Sequence, residues 1–131
     1  MLVVGAAIVR DGRLLAQQRA WPAAHAGRWE LPGGRVDPGE SDVAALVREC
    51  AEELAVEVTV GARVGRDVPL PGGAATLRIF AATLTSPGAE PRPVEHTALR
   101  WLGAADLATV DWLDADRVLL PDLFALVSPC E

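Results

Sequence analysis

Glu49, Glu52 and Glu53 stand at i, i+3 and i+4 of one apolar-periodic run, and Arg48 directly precedes the first of them. If the run is helical, all three carboxylates project from one face within a turn of each other. Like charges that close are mutually destabilising unless something positive sits among them. A hard divalent cation, which prefers carboxylate oxygen, is the simplest occupant. Upstream lies Pro32-Gly33-Gly34, where glycine lets the backbone approach a ligand and lets a carbonyl point inward. Clustered carboxylates on a helix beneath a glycine-rich loop describe a magnesium site suited to phosphate chemistry. The bland alternative is a solvated acidic helix face, the usual meaning of a charge run.

The spacing of these residues argues against the bland alternative, because it carries a family resemblance. Gly34, five residues, Glu40, seven residues, then Arg48-Glu49-Cys50-Ala51-Glu52-Glu53-Leu54-Ala55-Val56 resembles the Nudix box. One fixed position departs: Ala55 stands where the family has glycine. That glycine lies just past the helix, where left-handed backbone is common. Alanine there costs about 1 kcal/mol if φ is positive, and it touches no metal ligand.

The resemblance implies a set of roles. Glu49, Glu52 and Glu53 are the metal ligands, joined by a backbone carbonyl that position assigns to Gly33. Arg48 orients a glutamate by an ion pair, and Arg48 and Glu40 support the ligands from outside the metal's own shell. The cofactor is Mg2+, with Mn2+ able to substitute. The substrate is a nucleoside diphosphate linked to another group, and water attacks a phosphorus of the pyrophosphate. Stabilisation then comes mostly from positioned cations, and a carboxylate takes the remaining proton. Glu49 and Glu95 are the candidate bases.

A second resemblance covers the chain from near Gly5 to about Val127. Arg28 to Arg35, Glu95 to Trp101 and Ala115-Asp116 are similar to the MutT-like branch, including its members that act on CTP. In that branch a glutamate at the position of Glu95 reaches the metal site, and the residue at the position of Asp116 contacts the base edge. An ionised aspartate only accepts hydrogen bonds, which suits an exocyclic amine such as cytosine N4. Asp116 is also a favoured type for an N-cap. Arg19 aligns with an arginine near the nucleotide, and Arg35 follows the glycines where a cation meets phosphate. Arg78 shares a strand face with Thr76 and Phe80 and so is expected to point into the cleft, with Leu70 packed on the base.

The expected reaction is conversion of a nucleoside triphosphate to the monophosphate and pyrophosphate. CTP, dCTP or a modified form is the first choice of substrate and 8-oxo-dGTP the second, in nucleotide-pool sanitisation. ADP-ribose or another nucleoside-diphosphate conjugate is the outsider: Pro71 resembles a marker of such enzymes, but a Pro-Gly-Gly hairpin explains it without function. A non-catalytic nucleotide sensor is the alternative of a different class, although such domains usually lose box glutamates.

Around these residues the pattern predicts strands over Val3–Arg10, Arg13–Gln18, Trp29–Leu31, Val56–Val68 with a break near Gly61 or Gly65, Ala75–Leu84 and Leu99–Leu102. Ser41 is a natural N-cap for a helix running to about Leu54, burying Val43, Ala44, Leu46, Val47, Cys50 and Leu54. One helical turn is expected over Ala104–Leu107 and a final helix over Asp116–Val127, interrupted by Pro121. Strands around one long helix with a second at the end predict an α/β fold, an α/β/α sandwich with a mixed sheet, as the Nudix resemblance also implies. The 131 residues are expected to form a single domain.

The composition bounds the partners. Net charge is −6 and all 12 basic residues are arginine, so a nucleic acid polymer is not expected as a ligand. No apolar run approaches the roughly 18 residues of a membrane helix. Cys50 and Cys130 are the only cysteines; Cys50 falls at an apolar helix position and reads as a core thiol, Cys130 as a frayed end. A reduced, cytoplasmic monomer or homodimer is the resulting expectation. His25 and His96 lack ligand-spaced partners; His96 reads as a loop hydrogen-bonding residue. The four tryptophans read as core or rim.

Overall fold

The structure, a computed structural model, describes residues 1–96 and 98–128. The reading of Cys130 falls outside them. Strand β1 (Leu2–Arg10) runs antiparallel to β2 (Arg13–Gln18) at its C-terminal end, with Val9 opposite Leu14. Asp11 and Gly12 turn the chain between them, both at positive φ. On its other edge β1 pairs in parallel with β6 (Thr76–Leu84). Strand β6 pairs antiparallel with β5 (Val58–Pro69), whose register shifts twice, between Val60 and Arg63 and between Val64 and Val68. These irregularities fall where Gly61 and Gly65 were expected to break the strand, and Gly65 has φ +66°. Strands β3 (Trp29–Glu30) and β7 (Ala98–Leu102) flank β2. The sheet is therefore mixed, with seven strands.

Strand alternation divides the core in two. Val4, Ala6 and Ile8 of β1 with Leu15 of β2 face helix α1 (Asp42–Leu54), against Ala45, Leu46, Cys50 and Leu54. Ala7, Leu14 and Ala16 face the opposite layer, built from α2 (Asp114–Val118), α3 (Leu120–Val127) and Trp112. Helices thus cover both faces of the sheet, the expected α/β/α sandwich.

Helix α1 starts as expected: Ser41 is the N-cap, and its Oγ accepts from the Ala44 N–H at 3.0 Å. It ends at Ala55, whose φ of 57° is left-handed. The alanine does occupy the strained conformation that glycine would adopt freely. Its buried face differs from expectation. Val43 and Ala44 are exposed, and Glu53 is buried instead. Val43 shares the face of Leu46, Cys50 and Leu54 but lies in the first turn of the helix, and Glu53 on the flank of that face points at the sheet. The final helix also divides differently, into α2 and α3, with Pro121 in the first turn of α3, where its missing N–H is harmless. The expected turn over Ala104–Leu107 lies slightly later, as a 3₁₀ turn over Leu107–Thr109. Gly33–Arg35, read as loop, forms a short strand β4 on the edge of β1.

Candidate active site

Strand β4 brings the glycine pair under α1. Gly33 and Gly34 lie opposite Gly5 and Val4 of β1. A β-carbon on Gly33 would stand 1.9 Å from the Val4 carbonyl oxygen, and one on Gly34 would stand 2.4 Å from Cδ of Glu49. Gly33 is confined by backbone, which leaves no room for a side chain, whereas Gly34 is confined only by the end of the Glu49 side chain.

Arg48 organises the outer side of α1. Its Nε and Nη2 grip both oxygens of Glu40 at 2.7 and 2.9 Å. Its Nη1 donates to Glu49 at 3.0 Å and lies 3.3 Å from Glu52. Nη2 also donates to the Arg35 carbonyl at 3.1 Å, tying α1 to β4. Glu40 is held down to about 2, first by its hydrogen bonds from Arg48 and then by the Asp37 N–H. Arg48 therefore clamps Glu40 and Glu49 and reaches Glu52.

Glu53 points the other way, into the interface between α1 and β2. It is 5% exposed and accepts from Gln17 Nε2 at 2.6 Å. Burial pushes its carboxyl up to about 8, with the negative charges of Glu30 and Glu49 adding to the rise. Beside it, Glu30 accepts from Gln17 at 3.2 Å, from Arg19 at 3.1 Å and sits 2.9 Å from His96 Nε2. His96 Nδ1 is 3.7 Å from Glu53. Glu30, Glu53 and His96 each bring a ligand atom within 4.8 Å of the others. The geometry thus gathers Glu53 with Glu30 and His96, while Glu52 stays largely in solvent.

Gln17, Glu30 and His96 were not singled out by spacing. Gln17 and Glu30 are opposite one another on neighbouring strands. A polar residue continuing the buried row after Leu15 was the signal available for Gln17. Glu30 is separated by Leu31 alone from the Pro32-Gly33-Gly34 segment, and His96 directly follows Glu95.

Two neighbouring cavities open here and share Arg19, Glu30 and Gly33. The smaller, about 200 Å³, is lined by Glu53, Glu95, His96 and the exposed Trp21. The larger, about 450 Å³, is lined by aliphatic residues including Leu31, Leu70 and Leu113 together with Arg28, Glu30, Asp114 and the buried Asp116. That volume and lining suit a small organic ligand held by few polar contacts. Asp116 lies within α2 rather than capping it, and its Oδ2 accepts from the Leu31 N–H at 3.0 Å. Burial pushes its carboxyl up to about 7, and nearby Glu30 adds to this.

Arg19, Leu70 and Asp116 line the large cavity, as Gly33 does, and Glu95 lines the small one. Of the residues expected to bind the substrate, two do not follow expectation. Arg78 lines neither cavity; its guanidinium is held by Asp67 at 2.9 Å and Asp42 at 3.1 Å, tying β6 to β5 and to the start of α1. Arg35 is exposed and lines neither cavity, since alternation along β4 turns Gly34 to Glu49 and Arg35 away.

The donor set fits a hard divalent cation. Glu53 is a buried carboxylate beside two others, its charge disfavoured in the protein alone, and a cation would relieve that. The buried Nδ1 of His96 and Oε1 of Gln17 also lack partners among the described residues.

Comparison with known proteins places the fold in a family. The family profile termed NUDIX domain matches residues 1–123. The chain belongs to the NUDIX family. It is therefore a Nudix hydrolase, an enzyme of a family that uses divalent metal and acts on small nucleotide substrates. It is 51% identical over 125 residues to a Mycobacterium tuberculosis protein provisionally named 8-oxo-dGTP diphosphatase 2, covering 93% of this chain and 86% of that one. It is 37% identical over 124 residues to the CTP pyrophosphohydrolase of Escherichia coli, covering 95% and 91%. Among solved structures it resembles the E. coli ORF135 protein, with TM-score 0.78, 35% identity and coverage of 99% and 94%. A MutT NUDIX hydrolase from Burkholderia pseudomallei gives TM-score 0.75 and 34% identity, covering 92% and 95%. No helix of the described residues is long and apolar enough to cross a membrane.

Proposed function

We propose that this Nudix hydrolase is a magnesium-dependent nucleoside triphosphate pyrophosphohydrolase that clears non-standard or surplus nucleotides from the pool. One molecule of water and a triphosphate would give the monophosphate and pyrophosphate. The observation that carries the reading is the pair of cavities meeting at Gly33 and Arg19, one acidic and one aliphatic. A nucleoside suits the aliphatic cavity, and its phosphates then extend over the acidic one.

Glu49, Glu53, the more exposed Glu52 and Glu95, and the Gly33 carbonyl would hold the metal, Mg2+ with Mn2+ as substitute. The bound cation supplies charge against the phosphoryl oxygens and lowers the pKa of water. The chain's own residues do the rest. Arg48 and Glu40 fix Glu49, and Arg19 stands at the junction of the cavities for a phosphate. Glu49 or Glu95 accepts the proton of the attacking water.

Asp116 reads the base. Ionised, it accepts from an exocyclic amine, which favours CTP, dCTP or their modified forms. Protonated, it donates to an oxo group, which favours 8-oxo-dGTP. Its raised pKa, about 7, makes both forms accessible near neutrality, and the names of the two relatives point to the same pair of substrates. The test is a panel of nucleotides, ADP-ribose included, with products identified with and without chelator. Monophosphate and pyrophosphate formed only with metal are expected. Binding without turnover at saturating magnesium would overturn the reading in favour of a sensor.

A further inference from the structure

Gln17 has no solvent exposure at all, the most enclosed of the buried polar residues. Alternation along β2 puts it in the row of Leu15, facing α1, where an apolar side chain would complete the core. Instead its Nε2 donates to Glu53 at 2.6 Å and to Glu30 at 3.2 Å. Carboxylate oxygens accept hydrogen bonds, which sets the amide with its NH2 group toward both. The register of β2 and β3, with Gln17 directly opposite Glu30, fixes one half of this bracket; α1 supplies the other.

The choice of an amide has a physical consequence. Glu30 already has Arg19 at 3.1 Å and His96 at 2.9 Å. Glu53 has no arginine partner among the described residues, and Gln17 is its side-chain donor. A lysine or arginine at position 17 would cancel the charge of Glu53 and compete with any cation. An apolar residue would leave a buried carboxylate free to rotate and without a donor. Glutamine fixes the rotation and leaves the charge.

We propose that Gln17 is a positioning residue for metal binding: its amide locks Glu53 and Glu30 in one relation and adds no positive charge that would compete with the cation. This rests on the reading of Glu53 as a metal ligand. Outer-shell partners of metal ligands typically contribute about 10–100-fold in affinity or activity.

The test compares the whole protein with Gln17→Met, of similar volume but without a donor, and Gln17→Asn, an amide one methylene too short to reach both carboxylates. Mn2+ binding is measured by electron paramagnetic resonance of the free ion, turnover by steady-state kinetics over a magnesium series, and folding by thermal melting. Both variants are expected to bind Mn2+ about tenfold or more weakly. They should need correspondingly more magnesium for half-maximal kcat, with KM for nucleotide at saturating metal little changed. Wild-type Mn2+ affinity in a folded Gln17→Met protein overturns the assignment; if that variant does not fold, wild-type affinity in Gln17→Asn does so. A wild-type protein that neither binds Mn2+ nor hydrolyses a nucleotide overturns the underlying metal-site reading instead, before the variants are compared.

Discussion

The carboxylate of Glu49 rests against the α-carbon of Gly34, so close that a β-carbon there would stand 2.6 Å from each of its oxygens. The obstacle is the far end of a flexible side chain, so Gly34→Ala can be relieved by turning Glu49 away. The fold should survive with about 1 kcal/mol lost, while turnover falls about 10–100-fold through displacement of a candidate ligand. Gly33→Ala meets the Val4 carbonyl oxygen instead, and backbone cannot turn aside. Thermal melting and kcat on both variants check the contrast: activity loss without unfolding at position 34, and unfolding at position 33.

Arg48 reaches Glu40 through two nitrogens, Glu49 through a third, and the Arg35 carbonyl. A lysine keeps the charge but has one ammonium, and it cannot reproduce the planar fork. Arg48→Lys should therefore lower kcat roughly tenfold or more, because Glu49 loses its orienting partner. KM for nucleotide should change much less, since Arg48 lines neither cavity. Separate measurement of kcat and KM decides it; a rise in KM alone would place Arg48 on the substrate.

The parts of this site that were legible in the sequence are those whose geometry is local. The helix start at Ser41 and its end near Ala55 follow from residues within one turn of each other, while the supporting roles of Glu40 and Arg48 come from the family resemblance, which does not say which glutamate Arg48 grips. Gln17 and Glu30 escaped, and His96 was legible only as a loop hydrogen-bonding residue, because β2, β3 and the segment before β7 come together only through the sheet. Spacing along the chain does not encode that meeting. The buried face of α1 escaped in part for a related reason. Hydrophobicity alone turns Val43 and Ala44 inward, but Val43 lies in the exposed first turn of α1, while Glu53 is buried against Gln17. Arg78 was placed on the correct strand, but the acidic residues that claim it lie on α1 and β5.

Glu53 makes the protein's stability depend on pH and metal together. Its folded pKa, about 8, lies above its ordinary value of 4.5 because of burial and then of Glu30 and Glu49. Its contribution to metal-free stability is fully present below the ordinary value and is lost as pH rises through 8. A divalent cation that binds the ionised form should oppose this loss. The rise in melting temperature on adding magnesium should therefore be larger at pH 8.5 than at pH 6. Glu53→Gln should melt higher than wild type in chelator at pH 8.5, gain little from magnesium, and turn over at least 100-fold more slowly. A metal effect independent of pH would show that Glu53 does not face the cation.

Ala55 lines neither cavity, and its left-handed conformation is one that glycine would adopt without strain. It is exposed, with φ 57°, and a left-handed residue other than glycine costs about 1–2 kcal/mol. Ala55→Gly should raise stability by about 0.5–1 kcal/mol after the extra chain entropy of glycine is counted. Kinetic constants should stay at wild-type values. Denaturant unfolding checks the first statement and the nucleotide assay the second.

Asp116 offers the sharpest test of substrate choice. One oxygen is committed to the Leu31 N–H, and burial holds the carboxyl near pH 7 in its titration. Asparagine keeps an acceptor for Leu31 and presents a permanent donor, whatever the pH. In the wild-type protein the ratio of kcat/KM for CTP over 8-oxo-dGTP should rise with pH between about 6 and 8, as the acceptor form replaces the donor form. In Asp116→Asn that slope should vanish and the ratio should settle on the 8-oxo-dGTP side. The same substitution removes a stability loss. The raised carboxyl contributes stability fully below its ordinary value of 3.8, lost as pH rises through about 7. Asp116→Asn should then be more stable than wild type at pH 8 by a few kcal/mol at most, from ~1.4 kcal/mol per pKa unit. An unchanged nucleotide ratio together with this stabilisation would confine Asp116 to the architecture of α2 and remove it from base reading.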